Sequence, residues 1–296
     1  MQCEHWSPGI PCGTCIHPKS HFLATNDTMV FYDAGNLCPL NKENVRKTYI
    51  EKNPGEIIFH MREYMKCLGI KGAVIGISGG KDSTIVAKLM VECLGKENVL
   101  GVLMPNGEQS DIEDSVKVVE LLDIEAITVN IQNAFNGLVE STTRELQYLG
   151  KELSKPSYIN IAPRIRMTTL YAIAQSMGNG WRVIGTTNKS EEYIGWLTKW
   201  GDGAADFEPI IDFTVTELHQ LGLNLGLPKE LVRKIPVDGL AEGSDEERFG
   251  FTYEQLDTFI EKGTTGNVDI DEKISTMHKN SEHKRLDIPH YKLPHN

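Results

Sequence analysis

The stretch that most constrains this chain is Ala73-Val74-Ile75-Gly76-Ile77, which runs directly into Ser78-Gly79-Gly80-Lys81-Asp82-Ser83. The apolar, β-branched run reads as a buried strand, and the apolar spacing from Asp82 to Leu94 reads as a helix. Between them, paired glycines let the backbone curl until successive N–H groups converge. The helix N-terminus adds the positive end of its dipole, so the junction is built for an anion such as phosphate. Ser78 and Ser83 supply hydroxyl donors. The octet Gly76–Ser83 is not a Gly-x-x-x-x-Gly-Lys-Ser/Thr loop, although it does related work. Asp82 would repel a phosphate unless a divalent cation lay between them, so it is assigned a Mg²⁺ ion. An ordinary Ser/Asp cap explains Asp82 or Ser83 singly, but not the whole octet behind a buried strand.

The same alternation repeats downstream. Val99–Met104, Ala126–Val129 and Arg182–Thr186 read as strands. Helical spacing covers Pro54–Leu68, Asp111–Leu122, Ala134–Leu149 and Arg164–Met177. Short apolar strands alternating with helices predict an α/β fold, a doubly wound parallel sheet with helices on both faces, as a single domain over residues 42–296. Ligands in such sheets lie beyond the carboxyl ends of the strands. Residues 187–213, with Gly195, Gly201 and Gly203, read as a long functional loop, and 236–250 as a mobile cover. Helices are expected over Thr216–Leu225 and Tyr253–Ile260, followed by a polar end with a basic patch at His283-Lys284-Arg285.

Charge narrows the function. Thirty basic against 41 acidic residues give a net charge of −11, a poor basis for holding nucleic acid. No apolar run approaches the roughly 20 residues that cross a bilayer, and the N-terminus lacks a signal-peptide pattern, so a cytoplasmic protein with no membrane partner is expected. Residues 1–41 read as an irregular Cys/His-rich extension. Cys12-x-x-Cys15 with Cys3, Cys38, His5 or His17 offers zinc donors, but at uneven spacing, and an extension without zinc is the expectation. Cys67 and Cys93 fall in helical pattern, where an inert buried thiol is expected.

The Ser-Gly-Gly-x-Asp-Ser loop resembles that of the N-type ATP pyrophosphatases, which cleave ATP to AMP and pyrophosphate. Further motifs follow in order: Leu103-to-Asp111, Asn160-to-Met167, Gly185-to-Glu191, Thr198-to-Gly203 with Asp206, Gly250-to-Tyr253 and Glu282-to-Arg285. This series is similar to the ammonia-dependent NAD synthetases over roughly residues 50–290. The resemblance implies ATP contacts from Gly76, Ile77, Ser78, Gly79, Gly80, Lys81, Asp82, Ser83 and Thr186, and a metal held by Asp82 and Glu191. It implies deamido-NAD contacts from Arg164, Lys199, Asp206, His283 and Lys284, with Lys199 and Asp206 catalytic. Singly, Lys199 and the basic end read as solvated charge and Asp202–Asp206 as a turn; their order and spacing move them toward function.

The implied reaction amidates deamido-NAD. The nicotinate carboxylate attacks the α-phosphate of ATP, pyrophosphate leaves, and ammonia displaces AMP from the acyl adenylate. Asp206 is the candidate for holding ammonium. Two positions depart from the family pattern: Val215 stands where many members carry Lys, and Val237 where many carry a hydroxyl. Lys81 or Lys189 is a candidate to replace the missing charge. The extension is too short for an amidotransferase domain, so free ammonia or ammonia from a separate protein is expected. A homodimer is also implied, with Pro54–Leu68 as one contributor. The rival readings are a tRNA-thiolating pyrophosphatase, a GMP synthetase and a non-catalytic nucleotide binder. Acidic charge and the Thr198-to-Gly203 stretch weigh against the first, and intact Asp82 and Glu191 against the last.

Overall fold

The computed structural model describes residues 50, 53–108, 112–233, 244–291 and 293. Four parallel strands, β1 (Gly72–Gly76), β2 (Val99–Leu103), β3 (Glu125–Thr128) and β4 (Trp181–Ile184), form one sheet in the order β3-β2-β1-β4. Val74 pairs with Leu100 on one side and Val183 on the other, so β1 lies inside the sheet. Strand side chains alternate between faces. Ala73, Ile75, Val99 and Leu103 join a core with Ile85, Leu89 and Met90, whereas Val74, Leu100, Val102 and Val183 join one with Ala174 and Leu170. Both faces are covered at β1 and β2, which is why those two strands read as unbroken apolar runs, whereas β3 at the edge stays largely exposed.

Helices α1 (Pro54–Cys67), α2 (Lys81–Leu94) and α3 (Ile112–Leu122) supply the first face. Helices α4 (Gln132–Tyr148) and α5 (Lys155–Met177) bridge β3 to β4 across the other. Because the chain winds from β1 through β2 to β3 and then returns to place β4 on β1's far side, a crevice opens at the carboxyl ends of β1 and β4.

Beyond that crevice lies a second core. Ile194, Val215, Phe249, Phe251, Tyr253, Leu256 and Ile274 pack together. They come from α6 (Lys189–Ile194), α7 (Val215–Asn224), α9 (Asp245–Phe249), α10 (Tyr253–Lys262) and α11 (Val268–Asn280), with α8 (Lys229–Val232) between α7 and α9.

The expected loop 187–213 therefore begins with a helix, because Asn188 and Glu191 form a reciprocal capping box. Of the expected cover at 236–250, residues 236–243 lie outside the described residues. Ser244 caps α9 in the remainder, with Glu247 closing the box. The polar end contains α11, whose Ile270, Ile274 and Met277 carry the readable helical spacing and pack in this second core. Helix α5 starts well before Arg164, at a Ser154 cap, and continues through Pro163. Cys93 is buried and its thiol is pushed up to about 12 by desolvation, but Cys67 is exposed, correcting the expectation of two buried thiols.

Candidate active site

The Ser78–Ser83 turn is tied to itself. Ser78 Oγ accepts the Gly80 N–H at 3.2 Å and lies 3.1 Å from Ser83 Oγ, while Ser83 and Thr84 hydroxyls donate to the Gly80 carbonyl at 3.2 and 2.7 Å. Gly79 takes φ +74°, and a Cβ there would stand 2.8 Å from the Ser115 amide nitrogen on α3. Gly80 is the N-cap of α2, and no side chain caps that end. The opening N–H groups of α2 are thus left for a ligand. Ile77 beneath the turn is buried and its N–H donates to the Val102 carbonyl, while Gly76 ends β1. Thr186 lies two residues past the end of β4, beside this turn by strand order.

A carboxylate cluster stands next to the turn. Glu191 accepts the Asn188 N–H through Oε2 at 3.5 Å and the Tyr253 hydroxyl through Oε1 at 3.5 Å. Burial pushes its carboxyl up to about 8, with the Asp82 charge adding and Lys81 opposing. Lys81 Nζ donates to Asp82 Oδ2 at 2.8 Å. Burial disfavours the Lys81 ammonium, yet Asp82, Glu191 and Asp245 together hold it above its ordinary value. Among the described residues, Asp82 Oδ1 is buried with no hydrogen-bond partner. A helix cap alone explains neither that orphaned oxygen nor a second carboxylate beside it. Hard oxygen donors with one acceptor open are what a Mg²⁺ shared with phosphates takes, so these residues fit that ion. Among the described residues, no group of three or more His, Cys, Asp or Glu gathers into an all-protein cage.

Arg164, Lys199, His283 and Lys284, four of the five expected acceptor residues, gather in a second assembly, and no contact among the described residues joins Asp206 to them. The Arg164 guanidinium donates to the Lys199 carbonyl from Nε and Nη2 at 3.4 Å, and Lys199 Nζ donates to the His283 carbonyl. Lys284 Nζ donates to the carbonyls of Gly195 and Leu197, each at 2.7 Å, a strut across the end of α6. Thr198 Oγ1 donates to Asn160 on α5 at 2.7 Å, and Asp202 accepts the Thr198 N–H at 3.0 Å. Burial raises the Asp202 carboxyl above its ordinary range. Asp206 is oriented by the Val183 N–H at 2.9 Å and the Tyr171 hydroxyl at 3.3 Å, on the edge of β4.

Val215 is buried in the second core, its N–H donating to Ser190 Oγ, and Val237 lies outside the described residues. Lys189 pairs with Asp212 at 3.0 Å, whereas Lys81 is the candidate that sits in the cluster. The zinc donors of residues 1–41 also lie outside the described residues.

Several residues were given no role by the sequence reading, although Tyr253 and Trp200 fall in motifs it named. Tyr253 and Asp245 wall the carboxylate cluster, yet both stand in short segments whose apolar spacing says only that they pack. Trp200 is half exposed at φ +62°, with the Lys199 ammonium 5.4 Å from its ring centroid. A non-glycine residue held there marks a site that its surroundings enforce. Nothing in sequence foretells that backbone angle.

Known proteins are similar to this chain in sequence and fold. An NH(3)-dependent NAD(+) synthetase of Pyrococcus horikoshii is 38% identical over 244 residues, covering 78% of this chain and 91% of the relative. The structure of an NMN synthetase from Francisella tularensis matches with a TM-score of 0.73 at 32% identity, covering 82% of this chain and 99% of that one. An NH3-dependent NAD synthetase structure from Campylobacter jejuni matches with a TM-score of 0.65 at 26% identity, covering 82% and 99%. The family model for NAD synthase spans residues 55–288, the same stretch that holds the phosphate turn, the carboxylate cluster and the acceptor strut, and the chain belongs to that family.

Proposed function

We propose that this chain catalyses ammonia-dependent NAD synthesis, forming a C–N bond at the expense of ATP. The observation that carries the reading is the meeting of Asp82 and Glu191 at the mouth of the Ser78–Ser83 turn. The turn and the α2 N-terminus cradle the leaving pyrophosphate, with Gly76 and Thr186 bordering the nucleotide. A Mg²⁺ between Asp82 and Glu191 would screen the phosphate charge and stabilise the departing pyrophosphate. The nicotinate carboxylate oxygen bonds to the α-phosphorus as the bond to pyrophosphate breaks. Ammonia then adds to the acyl carbon, AMP leaves, and one proton is lost. Arg164, Lys199, His283 and Lys284 present positive charge to a dinucleotide acceptor. Asp206 is the candidate to hold ammonium and take that proton. Exclusion of water protects the adenylate from hydrolysis.

The test is incubation with ATP, Mg²⁺, ammonium and deamido-NAD, following NAD and AMP by chromatography. Equal NAD and AMP, both lost without deamido-NAD, are expected. AMP without NAD would move the acceptor to another class. Because one solved relative is an NMN synthetase, nicotinate mononucleotide is run alongside, and a higher kcat/KM for it would transfer the assignment. Asp206→Asn is expected to lose rate at limiting ammonium, and a full rate there would remove Asp206 from the chemistry.

The finer reading of assembly is a homodimer. Exposed Leu138, Tyr148, Leu149 and Tyr158 on α4 and α5 and in the turn between them support it, and light scattering at the monomer mass would overturn it. Among the described residues no helix is long and apolar enough to cross a membrane.

A further inference from the structure

A lysine in the first turn of a phosphate-binding helix would ordinarily reach outward to the anion. Lys81 does not. It is 2% exposed, and its Nζ donates to Asp82 Oδ2 at 2.8 Å while lying 5.4 Å from the Tyr253 ring centroid. The Tyr253 hydroxyl donates in turn to Asp245 at 3.3 Å and Glu191 at 3.5 Å, so the ammonium is enclosed by carboxylates and one aromatic wall. A buried cation at a helix N-terminus faces both a desolvation cost and the wrong end of the dipole. The carboxylates, with the Tyr253 ring, offset those costs. Conversely, ionised Asp82 and Glu191 would repel one another without a cation between them, whereas Asp245 also has Arg248 at 3.9 Å. Asp82 shows the division directly: Lys81 occupies Oδ2, and Oδ1 is buried with no hydrogen-bond partner among the described residues.

We propose that Lys81 is a built-in counter-ion of the Asp82–Glu191 cluster, balancing it when no divalent ion is bound and competing with such an ion for it. This rests on the reading of Asp82 and Glu191 as metal ligands. Lys81 then acts as a positioning residue: it keeps the two carboxylates together before metal and ATP arrive, and it weakens binding of metal alone. A neutral side chain of similar length would leave a stronger but less stable metal site.

The test uses the full chain and Mn²⁺ without nucleotide. Lys81→Met is expected to lower Tm in chelator by several degrees and to bind Mn²⁺ at least about tenfold more tightly than the parent, by paramagnetic titration. Lys81→Arg, which keeps the charge, should stay near the parent in both. Mn²⁺ affinity in Lys81→Met no higher than in the parent, including no binding by either protein, overturns the inference. Should Lys81→Met fail to fold in chelator, Lys81→Met/Asp82→Asn removes both charges of the pair and is expected to regain the lost Tm. A double variant no more stable than the single one overturns the proposal equally. NAD formation by the parent is measured separately. A parent that makes NAD beside an unaltered Lys81→Met titration sinks the counter-ion reading alone, whereas a parent that makes no NAD removes the function beneath it.

Discussion

The two halves of the site are built by opposite means. The phosphate turn is held by hydrogen bonds among Ser78, Gly80, Ser83 and Thr84, all within one turn of chain. The proposed acceptor side is held by cationic side chains gripping distant carbonyls, across 35 positions from Arg164 to Lys199, 84 from Lys199 to His283 and 89 from Gly195 to Lys284. The first can form as soon as β1 and α2 meet. The second exists only once α5, α6 and the chain after α11 are all in place. Local chemistry fixes one half, and completed packing fixes the other.

The sharpest way to break that contrast is Gly79→Ala. The substitution combines a left-handed backbone with a Cβ only 2.8–2.9 Å from backbone and side-chain atoms of Asp114 and Ser115. The left-handed conformation alone costs a side chain about 1–2 kcal/mol. The turn must open, and the N–H groups that converge on phosphate diverge. NAD formation is expected to fall by about a thousandfold, with loss of pyrophosphate binding and an unchanged circular-dichroism spectrum. A variant that retained the parental rate would show that the turn's shape is not what binds.

That division also explains what the sequence disclosed. The strand, turn and helix from Ala73 to Leu94 were legible because apolar period, paired glycines and hydroxyls all act over neighbouring residues. The parallel sheet was legible because its central strands are buried on both faces, leaving Val99–Leu103 apolar throughout. Glu191 was found only through its family motif, and the helix carrying it was missed although Asn188-x-x-Glu191 spells a capping box. Tyr253 was singled out only as the end of a family motif, with no role, and Asp245 was given no role at all. Their side chains reach the cluster because Phe249, Phe251, Leu256 and Ile274 close a second core, and no local spacing reports such an encounter.

Next in size is the separation of Glu191 as a cap from Glu191 as a metal ligand. Glutamine also closes a capping box, so Glu191→Gln keeps the start of α6 while removing a carboxylate whose ionisation burial opposes. Tm is expected to hold or rise, while NAD formation falls by about a hundredfold and loses its Mg²⁺ dependence. Asn188→Ala should do the reverse, costing about 1 kcal/mol of stability with a smaller loss of rate. Equal behaviour of the two variants in both assays would mean that Glu191 acts only as a cap.

The smallest effect probes a buried charge on the acceptor side. Glu208 lies under the end of β4, so close that a Cβ on Gly185 would stand 2.1 Å from its carboxylate, and its Oε2 is buried with no hydrogen-bond partner. Burial pushes this carboxyl up to about 8, opposed by the Thr187 N–H and reinforced by Asp202. The unfolded chain releases this proton near the ordinary glutamate value, about 4.3. From there to about 8 the folded protein therefore binds more protons than the unfolded one. The linkage slope is then negative, so stability falls as pH rises through that window, and the loss is complete above it. Glu208→Gln carries no charge at either end. Between about pH 5 and pH 8.5 the parent should lose several degrees of Tm relative to this variant, with rates at saturating ammonium within about twofold. Parallel Tm profiles would show that the carboxylate finds a partner in solution. A large loss of rate would instead move Glu208 from the packing of the acceptor side into its chemistry.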